Sequence, residues 1–247
     1  MAYLMQVMGL TREVAKALII DSAAGWDYRA SPRRGYGQVP VRIEDVVQSC
    51  DDEIKFTLTG TSEAYATYNY GIPVPIAKKK HPYIARVTLC YFPQCDRRQG
   101  VDYTSAEMDL HFGRINDKGT IQPLDNNRQG EEGFMTTEEV ARKNYRKWDN
   151  VKHIGEEPKE NGRERKAYST GMWGIKIRAT RRGDGPDRRA RALRFGIVVT
   201  LREINGVNRI DDFIQRCSLR GWIVNRIDVR TSVDIYNTAE VDIDFDE

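Results

Sequence analysis

The run Ile84-Ala-Arg-Val-Thr-Leu-Cys-Tyr-Phe92 indicates the fold class, because it is rich in β-branched and aromatic side chains and ends at Pro93. Such residues favour strands, and a proline cannot continue a central strand. Similar runs, separated by Gly, Pro, Asn and Asp, recur after about residue 50: Ile54–Leu58, Met108–Phe112, Gly174–Thr180, Phe195–Leu201, Val233–Tyr236 and Val241–Phe245. Many short strands between turn residues predict a β-sandwich.

The composition is that of a folded protein. Of the 247 residues, 40% are apolar and 30% are charged, which excludes an intrinsically disordered chain. The 39 basic and 36 acidic side chains leave a net charge of +3, so the charge of the whole chain requires neither a nucleic acid nor an anionic membrane. No stretch is long enough to span a bilayer, and no signal peptide is evident. We therefore expect a soluble, cytoplasmic protein.

The cysteines and histidines do not form a recognisable site. Cys50, Cys90, Cys95 and Cys217 contain no Cys-x-x-Cys pair, and the spacing of Cys90 and Cys95 fits neither a zinc knuckle nor a redox pair. The three histidines, His81, His111 and His153, are dispersed, and we expect them at surface positions or at hydrogen-bonded strand positions. The sequence therefore predicts no metal and no cofactor.

The first residues predict two helices. Met1–Met8 is apolar nearly all round and is followed by Gly9, a residue that commonly ends helices, so we expect this helix to be buried. No capping residue precedes Met1, and we expect the natural start of this helix to be missing. Thr11 can cap a second helix, whose apolar face contains Val14, Ala15, Ala17, Leu18 and Ile19 and which runs to Ser22.

The pattern of the first 49 residues resembles the end of a subtilisin-like serine peptidase domain. In that family a buried helix follows the nucleophilic serine, then come a Leu-Thr-x-x-x-Val/Ile-Lys-x-x-Leu helix, a Gly-Tyr-Gly-x-Val segment and a last helix. The matching positions here are Leu10, Thr11, Val14, Lys16, Ala17, Leu18, Gly35, Tyr36, Gly37, Val39 and Ile43–Val47. The resemblance covers about the first fifth of the chain.

The resemblance implies a division into two parts. Residues 1–49 would be the remnant C-terminal helices of a subtilisin-like α/β peptidase domain, and residues 50–247 would be a jelly-roll-like β-sandwich with inserted helices. Many subtilases carry such a C-terminal domain, and large intracellular bacterial members, some found near phage-defence genes, resemble the second half. The family's catalytic Asp, His and Ser all precede the matched segment, so the resemblance implies a fragment that is inactive alone and supports or regulates the peptidase domain.

No catalytic residue is predicted within the chain. The tripeptide Gly60-Thr61-Ser62 is superficially like the nucleophile motif, but Glu63-Ala64-Tyr65 follows it instead of Met-Ala-x-Pro. We interpret Ser62 as a turn residue. The implied partners are the peptidase domain or a polypeptide substrate. The alternative is a non-catalytic β-sandwich module that binds protein or, less favoured, single-stranded nucleic acid.

Basic and aromatic residues are interleaved between Arg142 and Arg194, as in some surfaces that bind single strands. This segment includes Tyr145, Trp148, Tyr168 and Trp173, and also Arg188, Arg189 and Arg191. Acidic residues are mixed into the loops at 155–167 and 181–191, so two solvated loops beside a helix and a core tryptophan are the favoured interpretation.

Helices are expected at 137–148 and at 210–219.

The last residues, Val241-Asp-Ile-Asp-Phe-Asp246, alternate carboxylates with apolar side chains. Three aligned carboxylates could contribute to a calcium site, but calcium needs six or more oxygens from several directions. We therefore interpret this run as an edge strand that its charges protect from aggregation.

Overall fold

The computed structural model describes residues 1–26, 33–62, 66–95, 104, 106–124, 149–156, 164–181, 192–226 and 233–236. These residues are mainly in β-strands, nearly all of them antiparallel, with helices in addition. This agrees with the mainly β class expected from the sequence.

The larger sheet has six strands in the order β11-β12-β1-β10-β4-β7. The strands are β1 (Glu53–Ser62), β4 (Tyr83–Tyr91), β7 (Val151–Gly155), β10 (Leu193–Glu203), β11 (Ile223–Arg226) and β12 (Val233–Tyr236). Neighbours are antiparallel except β1 and β12, which are parallel where Thr57 lies beside Asp234.

A second sheet has four antiparallel strands in the order β2-β9-β5-β6. They are β2 (Thr67–Ile72), β5 (Ala106–Ile115), β6 (Ile121–Pro123) and β9 (Trp173–Arg181). A short ladder pairs β3 (Lys80–His81) with β8 (Arg165–Lys166).

The main core lies between the two larger sheets, because alternate residues of both belong to one buried cluster. Phe56 of β1, Val87 of β4 and Val199 of β10 enter it from the six-stranded sheet, and Leu110 and Ile177 enter it from the four-stranded sheet. This alternation leaves the opposite face of the six-stranded sheet to be covered by other elements.

Four helices lie within the described residues: α1 (Ala2–Gln6), α2 (Arg12–Ala24), α3 (Ile43–Val47) and α4 (Ile210–Leu219). The side chain of Thr11 caps α2 by accepting a hydrogen bond from the amide of Val14 at 3.4 Å. Helix α2 covers the outer face of the six-stranded sheet, whereas α4 packs on the inner face, where Phe213 stacks on Phe56.

Most predicted elements are confirmed. The runs at 54–58, 84–92, 108–112, 174–180, 195–201 and 233–236 all lie in strands to within one residue, and a helix occupies 210–219. The predicted helix at 137–148 and the predicted strand at 241–245 lie outside the described residues.

Two expectations were wrong. Ser62 is not a turn residue, because it pairs with Leu193 as the last residue of β1 and is buried. The first helix is shorter than Met1–Met8 and is not buried all round. It ends at Gln6, and Leu4 is its buried side chain.

Candidate functional site

Helix α2 lies unusually close to the six-stranded sheet. A Cβ atom placed on Gly196 of β10 would lie 2.5 Å from the backbone nitrogen of Val14, closer than real Cβ contacts, so only glycine fits between helix and strand. Cys90, Val151 and Val198 on the sheet share a buried cluster with the apolar face of the helix. Residues 1–49 therefore pack directly on the strands that follow residue 50.

Five polar residues between α2 and the six-stranded sheet form what we call the helix-facing polar cluster: Asp21 of α2, and Arg86, Thr88, His153 and Thr200 of the sheet. Arg86 donates two hydrogen bonds of 3.0 Å to the two carboxylate oxygens of Asp21. Thr200 donates a third at 2.9 Å, and Thr88 a longer one at 3.4 Å. The Thr88 hydroxyl also lies 2.8 Å from Nδ1 of His153. The carboxylate is thus fully hydrogen-bonded, as a buried charge requires.

The end of α2 is held by a second set of polar contacts. The Arg86 guanidinium lies 4.5 Å from the centre of the Trp26 ring, whose indole nitrogen donates to Glu53 at 2.6 Å. Nearby, Nζ of Lys55 donates to the backbone oxygen of Gln48 at 3.2 Å. Burial lowers the pKa of the Lys55 ammonium from its usual value, and Asp21 acts in the opposite direction. These contacts connect α2 to β1 as well as to β4.

The helix-facing polar cluster is suited to positioning rather than to catalysis. Asp21, Thr88 and Thr200 have no exposed surface, so no substrate reaches the hydroxyl groups. The carboxylate already accepts hydrogen bonds at both oxygens. What the cluster can do is fix the position of α2 relative to the sheet. The sequence analysis did not predict this cluster. Two features of the sequence indicate it: Asp21 follows the apolar face of a helix, and Arg86 lies within an apolar strand.

The described residues also expose an apolar surface, which we call the N-terminal apolar surface and which consists of Met1, Tyr3, Met5, Val7, Val39 and Val41. These are six of the nine large apolar side chains exposed among the described residues. Val41 is 96% exposed and Val7 is 67% exposed. Exposed apolar side chains are typical of a contact surface for another polypeptide where they adjoin one another in a patch.

A second group of polar side chains lies inside the main core. His81 is fully buried, and neither of its ring nitrogens has a hydrogen-bond partner among the described residues. The indole nitrogen of Trp173 and the hydroxyl of Tyr83 are likewise buried without a partner in that part of the chain. Burial, with the charges of Arg114, Arg165 and Arg216, lowers the pKa of His81 to about 4. His81 is therefore neutral at pH 7.

The expectation for the histidines needs one correction. All three lie in strands, and His111 and His153 are half-buried. His81 is neither at the surface nor hydrogen-bonded within the described residues, because the short ladder of β3 and β8 turns it into the core. The described histidines lie on three different strands and are not brought together.

Within the described residues, no group of three histidine, cysteine, aspartate or glutamate side chains is placed to hold a metal ion. Cys50 and Cys95 are exposed, Cys90 and Cys217 are buried, and all four are free thiols. Burial raises the pKa of the Cys90 and Cys217 thiols to about 12, so both are protonated at neutral pH.

The basic and aromatic segment from Arg142 to Arg194 is only partly described. Tyr145, Trp148, Arg188, Arg189 and Arg191 lie outside the described residues. Trp173 is fully buried in the core and is not available to stack on a nucleic-acid base, as the core interpretation predicted. Tyr168 is half-buried, with Arg114 and Lys166 on its ring at 5.4 and 5.8 Å.

No protein-family model matches the chain, and no curated protein matches it significantly. In the described part of the chain, no helix is both long enough and apolar enough to cross a membrane.

Proposed function

We propose that the chain is the C-terminal part of an intracellular subtilisin-like serine endopeptidase, inactive alone. Residues 1–49 would contribute the last helices of the peptidase domain, and residues 50–247 a jelly-roll-like β-sandwich that supports it. The order of elements favours this proposal. A Thr11-capped helix, the Gly35-Tyr-Gly-x-Val39 segment and a helix at Ile43–Val47 follow one another as in that family.

The observation that carries the proposal is the N-terminal apolar surface. The exposed apolar side chains are concentrated in residues 1–41, the same part of the chain that carries the family pattern. Helix α1 packs against α2 through the buried Leu4, and it exposes Tyr3 and Met5, with the exposed Val7 directly after it. These apolar side chains are available to a further polypeptide layer. The rest of a peptidase domain would supply that layer.

In the proposed enzyme the chain would position the nucleophile without taking part in the chemistry. The family's serine attacks the peptide carbonyl while the histidine, oriented by the aspartate, accepts its proton. In the family, the helix after the serine occupies the place of α1. Leu4 of α1 packs in one buried cluster with Val14 of α2, and Asp21 ties α2 to Arg86 of the sheet. The β-domain would thereby hold the helix that carries the nucleophile.

The proposal is tested by reading the coding DNA in frame upstream of the Met1 codon and expressing the whole reading frame. We expect Gly-Thr-Ser-Met-Ala-x-Pro immediately upstream. The product should be labelled by a fluorophosphonate, which reacts with activated serines. Labelling should disappear when the serine of that motif is replaced by alanine, and residues 1–247 alone should not be labelled.

The opposite result would be an upstream sequence without the motif and a full-length product that the fluorophosphonate does not label. That result would reject the peptidase proposal. The N-terminal apolar surface would then belong to a non-catalytic module that binds another protein.

A further inference from the structure

A tight turn at residues 77–80 holds two lysines in an unfavourable backbone conformation. Ala77 and Lys80 exchange two backbone hydrogen bonds of 2.8 Å, and the residues between them, Lys78 and Lys79, have φ angles of 47° and 61°. Two consecutive left-handed residues define a hairpin turn that strongly favours Asn-Gly. Lysine has a Cβ atom and adopts this conformation only with strain. The turn therefore exposes two lysines where another sequence would be more stable.

The adjoining ladder adds further cations. Lys80 of β3 lies directly opposite Lys166 of β8, and like charges in this position destabilise a pair of strands. The Arg114 guanidinium reaches the same place, because its Nη1 donates to the backbone oxygen of Lys166 at 2.6 Å. We call Lys78, Lys79, Lys80, Arg114, Arg165 and Lys166 the basic end of the molecule.

The carboxylates near the basic end do not balance its charge. Glu156 pairs with Arg165, Glu164 lies 3.3 Å from Lys80, and Asp117 is within electrostatic reach of Lys166. No carboxylate of the described residues pairs with Lys78 or Lys79. Within the described part of the chain, the six cations of the basic end thus lie near three carboxylates.

We propose that the basic end is a docking surface for a short acidic polypeptide segment rich in Asp and Glu. The strained turn and the Lys80–Lys166 pair are both unfavourable in the protein alone. Both are explained if the lysines at these positions bind an anionic partner. A nucleic acid fits less well. Trp173 is buried, and Tyr168 is half-buried with two cations 5.4 and 5.8 Å from its ring centre, so these two rings offer little surface for a base to stack on. This role is independent of the proposed peptidase function.

The test is a fluorescence-anisotropy titration of residues 1–247 with a fluorescein-labelled ten-residue peptide containing six Asp and Glu residues. We expect saturable binding that weakens as salt is raised. Lys78→Asn/Lys79→Gly should raise Kd by about fivefold, because it removes two exposed ion pairs between lysine and peptide, and each such pair contributes modestly to binding. The matched control, Arg33→Asn/Arg34→Gly, removes the same charge from another exposed turn and should change Kd by less than about twofold.

Folding is monitored in the same experiment by the melting temperature. Lys78→Asn/Lys79→Gly should melt at or above the temperature of the unchanged protein, because Asn-Gly suits this turn. Weaker binding in a protein that melts normally would support the proposal. Three results would overturn it: no saturable binding of the acidic peptide in low salt, equal weakening by the two double substitutions, or tighter binding of a ten-nucleotide oligothymidylate than of the peptide.

Discussion

At the scale of single residues, the ion pair of Asp21 and Arg86 is the main polar contact between the first helices and the sheet. Both side chains are nearly or fully buried, with 1% and 5% of their surface exposed. Burying charges is unfavourable unless every polar atom finds a partner. Here two threonine hydroxyls and the guanidinium donate hydrogen bonds to the carboxylate, so both of its oxygens have partners although the pair is buried.

Replacing Asp21 by asparagine should lower the free energy of unfolding by about 3 kcal/mol, because it leaves the Arg86 charge buried without a counter-ion. Chemical denaturation of the two proteins measures the difference. The control is Asp212→Asn, which breaks the partly exposed pair with Arg216 on α4 and should lower it by about 0.5 kcal/mol or less. Equal effects of the two substitutions would show that burial of the Asp21 pair is unimportant.

His81 should make the protein less stable in mild acid. Its pKa is about 4 in the folded protein, against 6.5 for an unperturbed histidine. Between pH 6.5 and pH 4 the unfolded chain therefore binds more protons than the folded protein. The stabilising contribution of the neutral His81 is fully present above pH 6.5 and is lost as the pH falls towards 4. This residue alone should remove about 2 kcal/mol between pH 7 and pH 5.

The measurement is denaturation of the unchanged protein and of His81→Phe at pH 7 and pH 5. Phenylalanine has no titrating group. Between pH 7 and pH 5 the free energy of unfolding of the variant should therefore fall by about 2 kcal/mol less than that of the unchanged protein. His111→Phe is the companion variant, since burial also lowers the pKa of that half-buried histidine. An unchanged pH dependence in His81→Phe would contradict the assignment of His81 as the buried neutral group.

At the scale of elements, the docking of α2 on β10 depends on one glycine. Gly196→Ala would place a methyl group against the backbone of Val14 and Glu13, which cannot move aside as a flexible side chain can. We expect the free energy of unfolding to fall by about 2 kcal/mol. Gly155→Ala is the control, because its Cβ would meet a side-chain atom, Nε2 of His153, at 3.3 Å rather than backbone at 2.5 Å. Thermal melts of both variants should separate them, and similar melting temperatures would argue against a close helix contact.

The sequence predicted the elements that carry strong local signals. Strands β4 and β10 are long and rich in β-branched residues, and α4 places Phe213 and Cys217 at helical spacing. It did not predict β2 or β7. Thr67–Ile72 is half-polar, and Val151–Gly155 contains Lys152 and His153, so neither run has the apolar pattern of a buried strand. Their pairing partners, rather than their own side chains, make them strands.

The same reasoning explains why Lys152 was missed as a core residue. A lone lysine in a short polar run predicts a surface position. In the folded protein Lys152 lies opposite Leu89 on the inner face of the sheet, fully buried, with its ammonium 3.3 Å from a carboxylate oxygen of Glu107. That carboxylate comes from the other sheet, 45 residues away in sequence, and no local pattern could place it there.

At the scale of the whole molecule, the predicted domain boundary after residue 49 is crossed by many contacts. A polypeptide of residues 50–247 would uncover Cys90, Val151 and Val198 and would leave Arg86 without Asp21. We therefore expect it to melt at a lower temperature than residues 1–247 and to bind more of a dye specific for exposed apolar surface. Circular dichroism and dye fluorescence measure both effects. A shorter chain that melts cooperatively at the same temperature without binding dye would show that the two parts fold independently.

The sequence by itself determined the mainly β class, the positions of the strongest strands and the capped helix after Thr11, because each follows from propensity, period or capping within a few residues. Only the tertiary structure decided which faces those elements bury. It placed Asp21 against Arg86, turned His81 and Lys152 into the core, and left the N-terminal apolar surface and the lysines of the basic end exposed. Those arrangements depend on pairing between residues far apart in the chain, where local side-chain preferences carry no information.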